Sequence, residues 1–183
     1  TLTSSNTLTY TDTFNDVHNL SVMAGFELED QNLLQIITVA KNYSNHLPEL
    51  SNGQPDAASS YDYGSAMMSY FGNVNYNYHD KYYLSASFRR DGSSRLSKDN
   101  RWANFWSVSG AWRLSKEGFM EDMPLFTDFK VKASYGTNGN LPTDYYGYMD
   151  LYAGSGYGNN PAIYWAQLAN SELTWEKSKN LNV

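Results

Sequence analysis

Hydrophobic and polar residues alternate with a period of two over most of this chain, which is the mark of strands whose faces meet different surroundings. Leu8, Tyr10 and Asp12 interleave with threonines over 7–13. A short turn at 14–18 follows, with Asn15-Asp16 suited to it. Leu20, Val22, Ala24, Phe26 and Leu28 then share one face, and Ser21, Met23, Gly25 and Glu27 the other. Alternation resumes at 65–78, where Tyr70, Val74, Tyr76 and Tyr78 oppose Ser69, Asn73, Asn75 and Asn77. Beyond the tight turn His79-Asp80-Lys81 come Tyr82, Leu84, Ala86 and Phe88, then Trp106, Val108, Gly110, Trp112 and Leu114, then Phe129, Val131, Ala133 and Tyr135. Between these segments, 29–64 carries Pro48, Asn52-Gly53 and Pro55 and is expected to be a long loop with a short helix near 32–41. A second loop is expected at 91–104, a connector with Pro124 and one helical turn at 116–128, and a long Gly/Tyr/Asn loop at 137–171 before a last strand near Glu172. The pattern predicts an all-β chain of about seven antiparallel strands.

The connections alternate in length. Those at 14–18, 79–81 and 116–128 are shorter, and those at 29–64, 91–104 and 137–171 longer. In an antiparallel meander each set gathers at one end, as in outer-membrane barrels with short periplasmic turns and long extracellular loops. The apolar face is also ordered along the strands. Tyr76, Tyr78, Tyr82, Trp112 and Phe129 fall near the shorter turns, and Tyr70, Phe88, Trp106 and Tyr135 near the longer loops, with aliphatic and small residues between them. Aromatics at both ends of an aliphatic band match the two interfacial girdles of a transmembrane barrel. Alternation alone also fits a soluble β-sandwich, and a carbohydrate-binding domain of that kind is the alternative reading. The favoured reading is about seven strands of a larger transmembrane β-barrel. Thr1 and Val183 both fall within alternating stretches, so the chain reads as a fragment whose edge strands pair with further polypeptide.

Composition narrows the function. Net charge is −6, against the basic footprint of a nucleic-acid binder, so no nucleic-acid partner is expected. No cysteine is present, which removes disulfides, thiolate metal sites and a cysteine nucleophile. The longest apolar segment, LLQIITVA at 33–40, is too short for a membrane helix. His18, His46 and His79 fall at opposite ends of the predicted topology, so no shared metal site is expected. GSGYG at 154–158 lacks the lysine and helix of a phosphate loop. No catalytic residues, metal or cofactor are assigned, and the chain is not read as an enzyme.

DKYYLSASFRRDGSSR at 80–95 and DNRWANFWSVSGAWR at 99–113 resemble the barrel of SusC/RagA-type TonB-dependent outer-membrane receptors. MAGFELED at 23–30, FKVKASYGTNGN at 129–140 and NSELTWEKSKNLNV at 170–183 fit the same family in the same order. The resemblance implies an importer in the bacterial outer membrane, surrounded by outer-membrane lipid. It would take up glycan or peptide through a plugged barrel, be energised through TonB, and partner a SusD-like surface lipoprotein acting as a lid. Residues 1–183 would be part of the C-terminal β-barrel domain, with the plug domain, TonB box and remaining strands absent from them.

Two loops carry the candidate site residues. In and beside 91–102, Arg89, Arg90, Asp91, Arg95, Asp99 and Arg101 are expected to pair with one another and hold the rim, with Trp102 anchoring at the outer interface. In 137–171, aromatic faces among glycines and asparagines suit sugar rings or peptides, and Tyr145, Tyr146, Tyr157, Tyr164 and Trp165 are the candidates for substrate or lid contact. The other reading of these aromatics is a loop in which they bury one another.

Overall fold

A computed structural model describes residues 1–43, 49–120, 128–158 and 160–183. His46, Pro48 and Pro124 lie outside the described residues. Among the described residues there are nine strands: β1 (Leu2–Phe14), β2 (His18–Lys41), β3 (Gln54–Tyr78), β4 (Tyr82–Ser93), β5 (Trp102–Arg113), β6 (Lys130–Asn140), β7 (Leu151–Tyr157), β8 (Asn160–Gln167) and β9 (Glu176–Asn182). Seven of them form one antiparallel sheet in the order β1-β2-β3-β4-β5-β6-β9, and β7 and β8 pair with each other as an inserted hairpin.

The short turns are tight for a local reason. Asn15 and Asp16 (φ 51° and 57°) and His79 and Asp80 (φ 56° and 55°) all sit in the left-handed region, which Asn, Asp and His enter more readily than other side chains. With Val17 N–H bonded to Phe14 C=O and Lys81 N–H to Tyr78 C=O, each is a tight turn with both central residues at positive φ, set in a three-residue connection because Phe14 pairs with His18 and Tyr78 with Tyr82. His79 N–H also bonds to Val17 C=O, tying the two turns together.

Three expectations are corrected at the other end. Residues 29–64 are not a loop with a helix: β2 continues to Lys41 and β3 begins at Gln54. The β-branched run Ile36-Ile37-Thr38-Val39 pairs with Ala57 to Ser60, and apolar residues on both faces of β2 hide the alternation there. Likewise 91–104 narrows to a loop at 94–101, because β4 runs through Asp91 and Gly92 to Ser93. The 137–171 segment is not one loop, since it completes β6 and then forms the β7–β8 hairpin. His18 likewise opens β2 rather than sitting in a turn, and the last strand begins at Glu176.

Register fixes the faces. Val22, Val74, Ala86, Val108 and Tyr135 form one continuous row, and Leu20, Tyr76, Leu84, Gly110 and Ala133 the next. No second sheet covers this face among the described residues: Leu84 is 54% exposed and Val108 44%. A sandwich would bury these side chains. Aromatic rows close the band at each end. His18, Tyr78, Tyr82 and Trp112 stack along one end, with Tyr78–Tyr82 and Tyr82–Trp112 centroids 6.3 and 6.2 Å apart. Phe26–Tyr70 (5.1 Å) and Trp106–Tyr135 (5.6 Å) mark the other. From Trp102 to Trp112, roughly 3.4 Å per residue and a tilt of about 40° give a band about 26 Å tall, close to that of outer-membrane barrels. The opposite face carries cross-strand rungs of hydroxyls and amides, among them Ser85 Oγ to Asn75 Oδ1 (2.7 Å) and Ser87 Oγ to Ser107 Oγ (2.7 Å).

At the short-turn end the aromatic girdle is pinned by a carboxylate. Glu117 accepts from Tyr82 Oη (2.7 Å), Trp112 Nε1 (3.0 Å) and Lys81 Nζ (3.2 Å), giving the polar tips of two interfacial aromatics their partner. These bonds, the Tyr82 hydroxyl first, hold the Glu117 carboxyl below its ordinary range. Asp80 is lowered by the Asn77 amide and Lys116, and Asp128 by Arg113.

Two outcomes follow. An arginine at Leu84 or Val108 is expected to cost about 2–4 kcal/mol at mid-membrane, whereas Ser85→Arg and Ser109→Arg are expected to assemble; urea titration of the folded barrel measures both. The three turn carboxyls have folded values below their unfolded ones. Their stabilisation is therefore fully present above the ordinary carboxylate range and fades as pH falls through the lowered values. Heat resistance followed by gel mobility should stay level near neutrality and drop in acid, and Glu117→Gln should shrink that drop.

Candidate functional site

The long-loop end is organised around two structures, a locked rim and an exposed hairpin. The rim begins with alternation, which places Arg89 and Asp91 on the same polar face of β4, next to Ser69 across the strand pair. Arg89 Nε donates to Asp91 Oδ1 at 2.6 Å and Nη2 to Ser69 Oγ at 2.9 Å, with Glu27 at 3.6 Å. Its guanidinium also lies 5.5 Å from the Phe71 ring centroid. Asp91 and Ser69 are buried, so this is a partly desolvated pair with its lone pairs in use.

The loop at 94–101 folds back over this face and drops Leu96 into a pocket where it is 0% exposed. Ala103, Phe105 and Trp175 surround Leu96, and Met67, Leu141 and Leu173 pack at the edge. Phe105 and Trp175 meet edge to face at 5.5 Å. Gly139 supplies the space, because a Cβ there would overlap the Phe105 ring. Polar bonds stitch this loop to 170–175: Trp175 Nε1 donates to Arg101 C=O, and Ser97 Oγ and Asn100 Nδ2 both donate to Ser171 C=O, each at 2.9 Å. Sequence reasoning missed Leu96 and Trp175. The available signal was an isolated leucine in an otherwise polar loop.

The charged residues do not all pair with one another. Arg95 stacks on Tyr145 at 3.9 Å and donates to Ser65 Oγ at 3.4 Å. Arg90 is on the apolar face, 5.2 Å over Trp102, which itself stacks with Tyr70 at 6.2 Å. Among the described residues no ion pair joins Arg90, Arg95, Asp99 or Arg101 to another side chain. The reason is parity: Arg90 and Asp91 are adjacent in a strand and point to opposite faces.

The aromatic candidates divide as well. Tyr145 and Tyr146 pack on Tyr63 of β3, with centroids 5.2 and 6.5 Å away. Tyr146 Oη accepts from Gly64 N–H at 3.0 Å, and Gln167 Nε2 donates to Tyr146 C=O at 3.0 Å. These two join the rim to the long β2–β3 hairpin. Tyr164 and Trp165 on β8 remain 56% and 64% exposed, and Trp165 pairs with Tyr152 at 5.9 Å. Opposite Ile163 and Pro161 stand Gly154 and Gly156, so that the face shared with Tyr152 and Trp165 is flat on the β7 side. Tyr157 closes β7, and its side chain lies outside the described ones. Among the described residues no cluster of three or more His, Asp or Glu is arranged to hold a metal.

An antiparallel sheet with one uncovered apolar face, aromatic rows at both margins and a hydroxyl-lined reverse is a section of transmembrane β-barrel wall. The family model for TonB dependent receptor-like beta-barrels matches residues 1–183, and the chain belongs to that family. TonB-dependent receptor P3 of Formosa agariphila is 34% identical over 188 residues, covering 98% of this chain and 19% of that protein. TonB-dependent receptor SusC of Bacteroides thetaiotaomicron is 34% identical over 127 residues, covering 64% of this chain and 13% of that protein. The solved RagAB peptide transporter superposes with a TM-score of 0.82 at 27% identity, over 97% of this chain and 20% of that one. The chain is therefore of SusC/RagA type, is matched almost end to end by curated and solved relatives of whose length it spans about a fifth, and has receptors and transporters rather than enzymes as relatives.

Leu96→Ala should cost about 2–5 kcal/mol locally. Hydrogen exchange should quicken at 94–101 and 170–175 while the amides shared by β3, β4 and β5 keep their protection.

Proposed function

We propose that residues 1–183 form part of the C-terminal β-barrel domain of an outer-membrane importer that takes up glycan or peptide. In this reading uptake is energised through TonB, and a SusD-like surface lipoprotein closes the mouth from outside. The plug, the TonB-contacting segment and the other strands would be supplied by the rest of a protein about five times longer, as its relatives are.

The observation that carries the reading is the division of one sheet between two solvents. Among the described residues the apolar face stays uncovered across the seven strands of the sheet, while the reverse carries hydroxyls and amides such as Asn75, Ser85, Ser107 and Ser109 together with charged side chains such as Glu27, Arg89 and Lys132. A hydrated lumen lined this way offers polar cargo hydrogen bonds from hydroxyls and amides beside charged groups of both signs. Likeness to RagAB, described as a peptide transporter, favours peptide cargo.

Within this frame the exposed aromatics of β7–β8 contact cargo or lid, and the Arg89–Asp91 and Leu96 assemblies keep the rim in shape. Tyr and Trp give large rigid contact area at small entropic cost, and the neighbouring glycines let the surface adapt. Tyr145 and Tyr146, already engaged with Tyr63 and Arg95, serve the rim rather than the cargo.

In the full-length receptor, Tyr157→Ala with Trp165→Ala should lower uptake of labelled glycan or peptide, or loosen the lipoprotein in co-purification, at near-normal barrel abundance. Arg89→Ala should lower abundance or heat resistance first. Normal import and lid retention in the aromatic variant, with Arg89→Ala losing only cargo affinity in an intact barrel, would reverse the assignment.

A further inference from the structure

Just outside the outer aromatic row, one register row runs Ser4, Leu28, Met68, Gly92, Trp102 across five strands on the apolar face. Gly92 lacks a side chain, and the Trp102 indole lies down over it; a Cβ there would collide with the ring. The result is a groove of about 470 Å³ with Leu28, Met68 and Trp102 among its walls. It borders the outer aromatic row, with Phe26, Tyr70 and Arg90 between it and the aliphatic band. Methionine, unbranched and polarisable, adapts such a wall to a flexible hydrocarbon.

Two arginines flank this groove. Arg90 lies one register row nearer the aliphatic band than Gly92, with its guanidinium 5.2 Å from the Trp102 ring centroid. Arg101 lines the groove, and its Nε is buried with no hydrogen-bond partner among the described residues. Neither is in an ion pair among the described residues. Glu29 and Asp30 also border the groove, but they lie on β2, across it from Trp102 and both arginines. A cation fork beside an apolar trough at the level of the head groups matches a phosphate attached to an acyl chain, since guanidinium binds phosphate in a bidentate fashion.

We propose that this groove is a binding site for one phosphorylated acyl lipid, with an acyl chain along Leu28, Met68 and Trp102 and its phosphate held by Arg90 and Arg101. The site rests on the apolar face meeting lipid, as proposed above. Failure of that reading would show as a full-length receptor soluble without detergent, which extraction of membranes with and without detergent records before the experiment below.

Native mass spectrometry of the detergent-purified full-length receptor tests it, with dioleoylphosphatidylglycerol, dioleoylglycerol and inorganic phosphate as probes. One phosphatidylglycerol should be retained by the unaltered protein and by Lys98→Gln, a change in the exposed loop. In Arg90→Gln with Arg101→Gln retention should fall roughly tenfold, the loss expected of one charge-assisted hydrogen bond. Dioleoylglycerol should be retained far more weakly, a comparison that needs no variant and stands even if the double substitution does not fold. Equal retention by the variant, equal retention of dioleoylglycerol, or displacement by inorganic phosphate alone would each overturn the proposal.

Discussion

The side-chain period of a strand is two, and in this wall each parity class is committed to a different solvent. That constraint governs everything else. A one-residue slip in any pairing would send Leu84 and Val108 to the polar side and Ser85 and Ser109 to the apolar side. Register must therefore be fixed firmly, and the short-turn end does so. Three-residue connections with Asn15-Asp16 and His79-Asp80 at positive φ leave little slack between β1 and β2 or between β3 and β4. The ladder they set also satisfies the backbone, which no water reaches on the apolar side.

The two ends hold themselves by different chemistry because they face different demands. At the short-turn end one carboxylate, Glu117, gathers the hydroxyl of Tyr82, the indole of Trp112 and the amine of Lys81. At the long-loop end the chain has to stay ordered without the sheet's full ladder. There the small core around Leu96 and Trp175 takes over, with Arg89 and Asp91 beneath it. Mixed charges in 91–102 look like an ion-pair network on paper. In the fold the loop is held mainly by one buried leucine and by bonds to the carbonyls of Ser171 and Arg101.

The wall was legible in the sequence because alternation survives wherever one face is aliphatic and the other hydroxylic, as from Tyr82 to Phe88. It was illegible where both faces are apolar. Leu33, Leu34, Ile36 and Ile37 read as a buried or helical run, yet they extend β2, paired with β3, far beyond β1 and β4. The site was partly legible for a related reason. Composition marks which residues are suited to contact, but pairing decides which are available. Tyr145 and Trp165 are chemically alike, and only the fold shows that Arg95 and Tyr63 already occupy the first. Arg90 and Asp91 are neighbours in sequence and strangers in space.

The insertion of β7–β8 between two paired strands bears on the order in which the wall is built. β1–β2 and β3–β4 close across connections of three residues and need no help from distant chain. β9 instead meets β6 across the whole segment 141–175. Chain-closure entropy rises slowly with length, by about 0.6 kcal/mol per doubling, but the search is long unless the segment shortens itself. The β7–β8 hairpin does that, and Gln167 bonding to the carbonyls of Tyr146 and Met149 draws its two ends together. The inserted hairpin thus acts as a splint for β9, shortening the span that must close for Glu176 to meet Asn140.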